Sequence, residues 1–441
     1  MKDKFIVHDV LPKINEAAFV DLNKENIDFL GQERYLSALA LLEKTKTRHV
    51  FMYSVEGVDS YQLLYDYFSS TKSILHREFL ASQSQTVHDK NRDYNVDYNK
   101  KLYHFVSGNI NKRLLLGYRK DDNNIELGFF TTCDVLVFSA SELLNNLRLY
   151  HFLCAVLNHG VFSLDDIVLP IACKMIIVGE PQDYDKLRLV NSTMMLHFSL
   201  IADVQSQYRL VDTLSYQKWF SALFTYAKKY FDMILSEEEL KILFYYSSRI
   251  TENQEIATLK WNELFNILAY YQVAIAEKKE QNHSLLSQVI HENEKRSNQH
   301  EIFFLEEVKN KYILLETNGS KVGQINALSV ISLANYEYGE PLKVTAVVSF
   351  EEGEVVDIEK KSELSGNLNN KSTEILNSWL QYEFGAYSHI NLHATIAFEQ
   401  SYQSIDGDSS SLAKACVLIS AITNTPIQQG IALTGSFNQF G

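Results

Sequence analysis

HVFMYS, residues 49–54, is the stretch whose reading decides the fold class. Its β-branched and aromatic side chains form an apolar run too short for a helix, and Gly57 follows before helical spacing resumes in YQLLYDYF at 61–68. Two further runs of the same kind lie downstream. DVLVFSA at 134–140 precedes a helix expected from about Glu142 to Leu157, and KMIIVGE at 174–180 is ended by Gly179 and Pro181. Continuously apolar strands alternating with helices suit a sheet buried on both faces, so the pattern predicts an α/β layer with parallel pairing.

Working outward, ENIDFLGQERYLSALALL at 25–42 spaces Ile27, Leu30, Leu36 and Leu39 as a helix would. Residues 80–125 are polar and rich in Asn and Asp, which predicts loops or a strand meander. From about 216 the pattern is helical throughout: WFSALFTYAKKYFDMIL, SEEELKILFYYSSRI, WNELFNILAYYQVAIAEK, then a charged amphipathic stretch to Lys311. The period then returns to two. YILLET (312–317), LKVTAVVSF (342–350) and NLHATIAFEQ (391–400) are strand candidates, followed by a helix near 411–422 and a closing strand in GIALTGSF (430–437). The expected organisation is an α/β module over 1–215, a helical subdomain with a connecting helix over 216–311, and a second α/β domain over 312–441. That agrees with the prior of about three domains for 441 residues.

Composition narrows the function classes. Lys and Arg number 41 against 55 Asp and Glu, a formal net charge of −14, which argues against a general nucleic-acid binder. Hydrophobic residues at 46% and charged residues at 22% exclude wholesale disorder. Cys133, Cys154, Cys173 and Cys416 form no CxxC pair, so they read as reduced core residues rather than a zinc site or disulfide frame. MKDKFIVHDV at the N-terminus has no signal-peptide pattern, and no apolar run approaches the 18 or so residues of a membrane helix. A cytoplasmic, soluble protein with no membrane partner is the expectation.

The first strand–turn–helix is the natural place to look for a phosphate cradle. A P-loop needs GxxxxGK[ST], because its amides and Lys wrap the phosphates and its hydroxyl holds Mg²⁺. Here Ser54, Asp59, Ser60 and Tyr61 stand where Gly, Gly, Lys and Ser/Thr belong, with Gly57 inside the degenerate loop. An Asp in a phosphate nest repels the ligand, and Ser139 and Ala140 replace the acidic pair that would end the second strand. No cofactor is therefore assigned. His389 and His393 lie four apart but in a presumed strand, without an intervening Glu, so no metal site is assigned either. In DGDSSSLAKACVLISAI (406–422) the polar run before an apolar-periodic one reads, on spacing alone, as a turn and a helix N-cap. A serine at such a helix start can also be a nucleophile if a base is supplied, since the free amides offer an oxyanion site.

FEQSYQSIDGDSSSLAKACVLISAI and PIQQGIALTGSFNQFG together resemble the proteolytic domain of Lon proteases, in particular the B-like bacterial Lon homologues. TNGSKVGQINALSVI (317–331), YGEPLKVTAVV (338–348) and DIEKKSELSGNL (357–368) resemble the opening of the same domain. More weakly, FLGQERYLSALALL (29–42), the degenerate loop at 54–61 and the helical region resemble the AAA+ module and lid that precede it. ATP and Mg²⁺ are expected in the wider family, but their motifs are degenerate here. The resemblance implies a Ser/Lys-dyad endopeptidase acting on protein substrates within a homo-oligomeric ring. It places the nucleophile at Ser409, with Asp408 beside it, and gives Thr434 of the TGS motif the role of holding the catalytic Lys. In the family that Lys follows the QFG segment in a GGxxEK motif, roughly ten residues past Gly441.

Lys414, on the helix after Ser409, stands where relatives carry an acid and is expected to be a solvated surface residue. SGNLNNKS (365–372) replaces a stretch richer in Gly and His. The proteolytic domain is thus expected to be incomplete and the chain as written inactive or nearly so. The alternative is a non-catalytic pseudoprotease that binds or assembles.

Overall fold

The computed structural model describes the chain from residue 29 onward except 46–47, 71, 76–94, 97–100, 109, 111, 122–123, 165–166, 334–335, 386–391 and 402–403, together with residues 14, 16–19 and 22. The chain divides into two compact units, Met1–Val289 and Ile290–Gly441. His389 and most of residues 80–100 lie outside the described residues.

In the first unit the three runs anticipated above are β1 (Val50–Tyr53), β3 (Cys133–Ser139) and β4 (Lys174–Gly179) of a five-stranded sheet. Two strands that sequence patterning missed complete it: β2 (Lys101–Val106) and β5 (Leu200–Ala202). The order is β5-β1-β4-β3-β2 and every pairing is parallel. Successive side chains of a strand face opposite sides, and here both sides are core. Phe51, Leu136, Phe138 and Ile177 belong to one buried cluster, and Val50, Met52, Val135, Val137, Ile176 and Val178 to another.

Helix boundaries depart from the periodicity where local chemistry intervenes. Of the helix expected at 25–42, the described residues form α1 (Glu33–Lys44), and Phe29 and Gly31 adopt positive φ in the turn before it. The helix expected from Glu142 to Leu157 is two, α3 (Ala140–Asn145) and α4 (Leu147–His159), with α2 (Ser60–Phe68) upstream. Asn146 breaks it, since its side chain accepts the Leu149 N–H at 3.1 Å and so starts a new helix. Beyond the sheet come α5 (Pro181–Val190) and three longer helices, α6 (Thr213–Phe231), α7 (Glu237–Thr251) and α8 (Trp261–Lys278). Asp212 and Ser236 close capping boxes at the starts of α6 and α7. Trp219, fully buried, donates its indole N–H to Thr258 O at 3.0 Å. Among the described residues no helix is long and apolar enough to cross a membrane. All four cysteines are free thiols, and Cys133, Cys154 and Cys173 are buried.

The second unit contains α9 (Gln299–Lys309) and a mixed sheet of β6 (Gln324–Leu333), β7 (Tyr336–Ser349), β8 (Val355–Asp357), β9 (His393–Glu399) and β10 (Ala432–Leu433), in the order β8-β9-β7-β6-β10. β6 and β7 form a long antiparallel hairpin, β9 runs antiparallel to β7, and the two edge strands pair in parallel. Two helices, α10 (Asn367–Phe384) and α11 (Ser411–Thr423), supply Leu376, Ala413, Val417 and Leu418 to a core that includes Ile325, Val344, Ile396 and Phe398. Along β9, Ala394, Ile396 and Phe398 are buried while Thr395 and Ala397 between them are only partly so, the alternation of a sheet with one covered face. Two strand expectations fail. YILLET is not a strand, and GIALTGSF pairs only at Ala432–Leu433 before its backbone leaves the sheet.

Candidate functional site

Among the described residues, each unit holds a cavity. In the first, about 330 Å³ opens beyond the carboxyl ends of β1, β3 and β4, the usual ligand position of an open parallel sheet. Ser54, Asp59 and Ser60 line it with Ser139, Ser141, Glu180 and Asp183, and Gly57 forms the turn before them with φ 80°. A helix start offers amides to an anion. Here Asp59 takes them itself, its carboxylate accepting Tyr61 N–H at 3.0 Å and Gln62 N–H at 2.9 Å. Ser139 and Ser141 share one hydrogen bond at 2.8 Å, and Asp183 accepts the Glu180 N–H at 3.2 Å. Three carboxylates around a filled helix start repel a phosphate chain rather than cradle it.

The second cavity is larger, about 820 Å³, and lies wholly within the second unit. Hydrophobic side chains of α9, β6 and β7, among them Phe303, Leu328, Val330 and Leu342, line it together with Lys343, Glu340 and Glu399. Ser409, Ser410 and Thr434 also line it. Ser409 is exposed in the turn ahead of α11, whereas Ser410 beside it is buried. Gly407, φ 109°, takes the turn into a backbone conformation that a side chain would strain.

The serine turn is fastened at several points. β10 peels away from β6 because Gly435 N–H donates to Ser409 O at 2.7 Å, while Leu412 N–H donates back to Gly435 O at 3.0 Å. That pair of hydrogen bonds between the 434–435 segment and the helix start is why the closing strand is so short. Thr434 reaches the same Ser409 carbonyl with its hydroxyl, at 3.5 Å. The Asp408 carbonyl accepts Ser411 N–H at 3.0 Å. Ahead of the turn, Asp406 Oδ1 caps α10 by accepting Leu368 N–H at 2.9 Å and Asn369 N–H at 3.2 Å. Backbone hydrogen bonds from Gly407, Asn369 and Leu368 hold its carboxyl below the ordinary range. Gly366 is required at this contact, since a Cβ there would meet the Asp406 carboxylate at 2.3–2.6 Å.

Lys414 overturns the surface assignment made from sequence. Its side chain is fully buried, and its ammonium donates to Asp357 Oδ2 at 2.6 Å, Asn369 Oδ1 at 2.8 Å and Thr373 Oγ1 at 3.0 Å. The three N–H donors of the ammonium find three acceptors, which is what makes its burial tolerable. Burial lowers the Lys414 pKa, and Asp357 opposes the shift. Burial raises the Asp357 carboxyl, but the charge and hydrogen bond of Lys414 outweigh it and leave the carboxyl below its usual range. A second buried carboxyl, Glu359, accepts Phe398 N–H at 2.9 Å. Burial first, then hydrogen bonding to Asp357, raises its pKa to about 7. Asp357 also caps the one-turn helix Ile358–Lys361.

The fold brings Ser409, Asp408 and Thr434, the residues singled out from the sequence, together at one turn, and sets beside them a buried cluster of Asp357, Glu359, Asn369 and Thr373 that the sequence did not single out. The signal available was an isolated Lys amid the otherwise apolar LAKACVLI, opposite a segment carrying DIE and NNKST. Among the described residues no three His, Cys, Asp or Glu side chains gather as metal ligands.

No protein-family model matches the chain. Among known proteins it is 45% identical over 138 residues to a Lon protease homologue of Escherichia coli (strain K12), which is 31% of this chain and 24% of that protein. It is 44% identical over 137 residues to a Lon protease homologue of Haemophilus influenzae, 31% of this chain and 23% of the relative. It is also 32% identical over 139 residues to the archaeal Lon protease of Thermococcus kodakarensis, 31% and 21% respectively. The match spans about a quarter of the length of these relatives.

Proposed function

Because the chain belongs, through this shared stretch, to the Lon protease family, we propose that its second unit is a serine-peptidase module acting on protein substrates, with Ser409 as nucleophile. The observation that carries this is the contrast at the turn. Of the three consecutive serines there, Ser409 alone is exposed, and it faces an 820 Å³ groove while the residues around it are hydrogen-bonded into place. A nucleophile held at a helix start, with its carbonyl pinned by Gly435, stands at the positive end of the α11 dipole, which would favour a developing oxyanion. Ser409 Oγ would attack the scissile carbonyl carbon, its proton passing to a neutral amine and then to the leaving nitrogen. Thr434 and Asp408 flank the nucleophile in this scheme.

Lys414 is not that amine, because its ammonium is held by Asp357, Asn369 and Thr373. In the family the base is a different lysine, which follows the region equivalent to Gly441. We read the first unit as AAA+-like, with a crevice that no longer takes nucleotide and helices 213–278 as its lid. A homo-oligomeric ring follows from the same resemblance.

A second reading, a pseudoprotease that binds peptides without cutting them, is favoured by the locked Lys414 and the self-capped crevice. Both are tested by following cleavage and binding of fluorescent unstructured peptides by the chain and by Ser409→Ala. Slow cleavage that depends on Ser409 is the most this chain is expected to show, since Lys414 cannot act as the base. Equal cleavage rates would remove the peptidase assignment, and peptide binding without cleavage would leave the binding module standing.

A further inference from the structure

The turn presenting Ser409 is held less by its own helix than by α10. Asn369, fully buried, takes part on both sides of it: its backbone N–H donates to Asp406 ahead of the serine, and its side-chain Oδ1 accepts the Ser410 hydroxyl behind it at 3.2 Å. The same Oδ1 accepts the Lys414 ammonium at 2.8 Å, while Nδ2 donates to Ser365 Oγ at 2.7 Å. Both lone pairs of the oxygen are therefore in use. An ammonium can only donate, so Lys414 forbids the flipped amide, which would set NH₂ against NH₃⁺. An acidic residue at 414 would favour that flip and deprive the Ser410 hydroxyl of its acceptor. Thr373 and Asp357 in turn hold Lys414.

Resting on Ser409 as the reactive hydroxyl, we propose that Asn369, its amide oriented by Lys414, is the positioning residue that sets where the side chain at 409 stands. It touches no substrate. It acts by fixing residues 406 and 410 to one helix, so that the side chain between them has a single place relative to the N-terminal end of α11. Displacement of a nucleophile by about 1 Å is enough to cost about a hundredfold in rate.

The test uses the full chain carrying Ser409→Cys, with alkylation of the introduced thiol by iodoacetamide followed across pH by peptide mass spectrometry, so that the native cysteines do not interfere. A thiol held at a helix start has a lowered pKa, and one released from it does not. Adding Asn369→Ala is expected to raise the midpoint of the profile and slow alkylation near neutral pH by about tenfold, and Ser410→Ala by about threefold. Leu380→Ala, which loosens the packing of α10 without touching the Asn369–Ser410 bond, should stay within about twofold. The proposal falls if folded Asn369→Ala and Ser410→Ala proteins keep the parent profile, or if Leu380→Ala shifts it equally. Should Asn369→Ala not fold, Ser410→Ala decides alone. Peptide cleavage by the Ser409 protein, measured in parallel, separates the two ideas. A shifted profile without cleavage keeps the positioning role and removes the nucleophile, whereas cleavage with an unmoved profile does the reverse.

Discussion

Replacing Glu359 by Gln should change the pH dependence of the second unit in a calculable way. Glu359 is 5% exposed, and burial and hydrogen bonding to Asp357 raise it from 4.5 to about 7. The folded state therefore keeps a proton that the unfolded chain has released. Its contribution to stability is complete below about pH 4.5 and is lost as pH rises through about 7. Of the neighbouring groups, Asp357, lowered from 3.8 by Lys414, loses its contribution only in acid, and Lys414, lowered from 10.5 by burial, is present in parent and variant alike. At about 1.36 kcal/mol per pKa unit, integration between about pH 5 and pH 8 gives a loss of about 2 to 3 kcal/mol. Gln keeps the shape and the acceptor for Phe398 N–H but cannot ionise. The variant and parent should differ little near pH 5, and the variant should be more stable by about 2 to 3 kcal/mol near pH 8. Amide hydrogen exchange of β9, corrected for intrinsic rates, reads this difference within one unit of the chain. A difference that stays within about 0.5 kcal/mol over the whole range would refute the reasoning.

Other perturbations give further expectations. Lys414→Met leaves Asp357 buried without its partner and should cost about 3 to 5 kcal/mol in denaturant unfolding; adding Asp357→Asn, which retains the cap on residues 358–361, should recover more than half of that. Asp59→Ala removes the acceptor of two helix-start amides and should raise exchange in α2 by an amount equivalent to about 1 kcal/mol. Millimolar ATP with Mg²⁺ should leave the melting of the first unit unmoved, whereas binding a hundredfold tighter than the ATP concentration would stabilise it by about 2.7 kcal/mol. Ser409→Ala, at an exposed position, should leave stability within about 0.5 kcal/mol of the parent, so that any loss of cleavage is chemical in origin.

The parallel sheet of the first unit was legible because its three central strands are continuously apolar, the mark of burial on both faces. Its edges were not. KLYHFV carries a Lys and a His, and Leu200–Ala202 is only three residues long, because an edge strand needs fewer apolar side chains and pairs on one side only. The break at Asn146 was hidden by continuous apolar spacing, and it is a side-chain hydrogen bond, not hydropathy, that makes it. At the candidate site, Ser409 and Thr434 are neighbours through short backbone bonds that the DGDSS and TGS segments suggest. Lys414 lies 57 residues from Asp357 and 45 from Asn369, and nothing in a local pattern announces partners so distant. A lone Lys in an apolar helix is ordinarily read as reaching for water, an inference that holds only where no acceptors are buried nearby.

A buried Lys–Asp pair is a poor way to stabilise a core, since well-packed apolar residues of similar volume commonly do as well or better. The 357–414 pair sits next to Ala413, Val417 and Leu418 in a core where a Leu or Met would pack. What an apolar side chain at 414 could not do is dictate the orientation of the Asn369 amide, and through it the Ser410 hydroxyl. The polar network ends, moreover, one residue from the single exposed serine of the turn, rather than being distributed through the core. The crevice of the first unit is arranged differently: its capping Asp59 takes the amides of the helix start, and Ser139 and Ser141 share one hydrogen bond. Polar groups that are buried, saturated and converge on one exposed hydroxyl are better accounted for by the geometry of that hydroxyl than by stability.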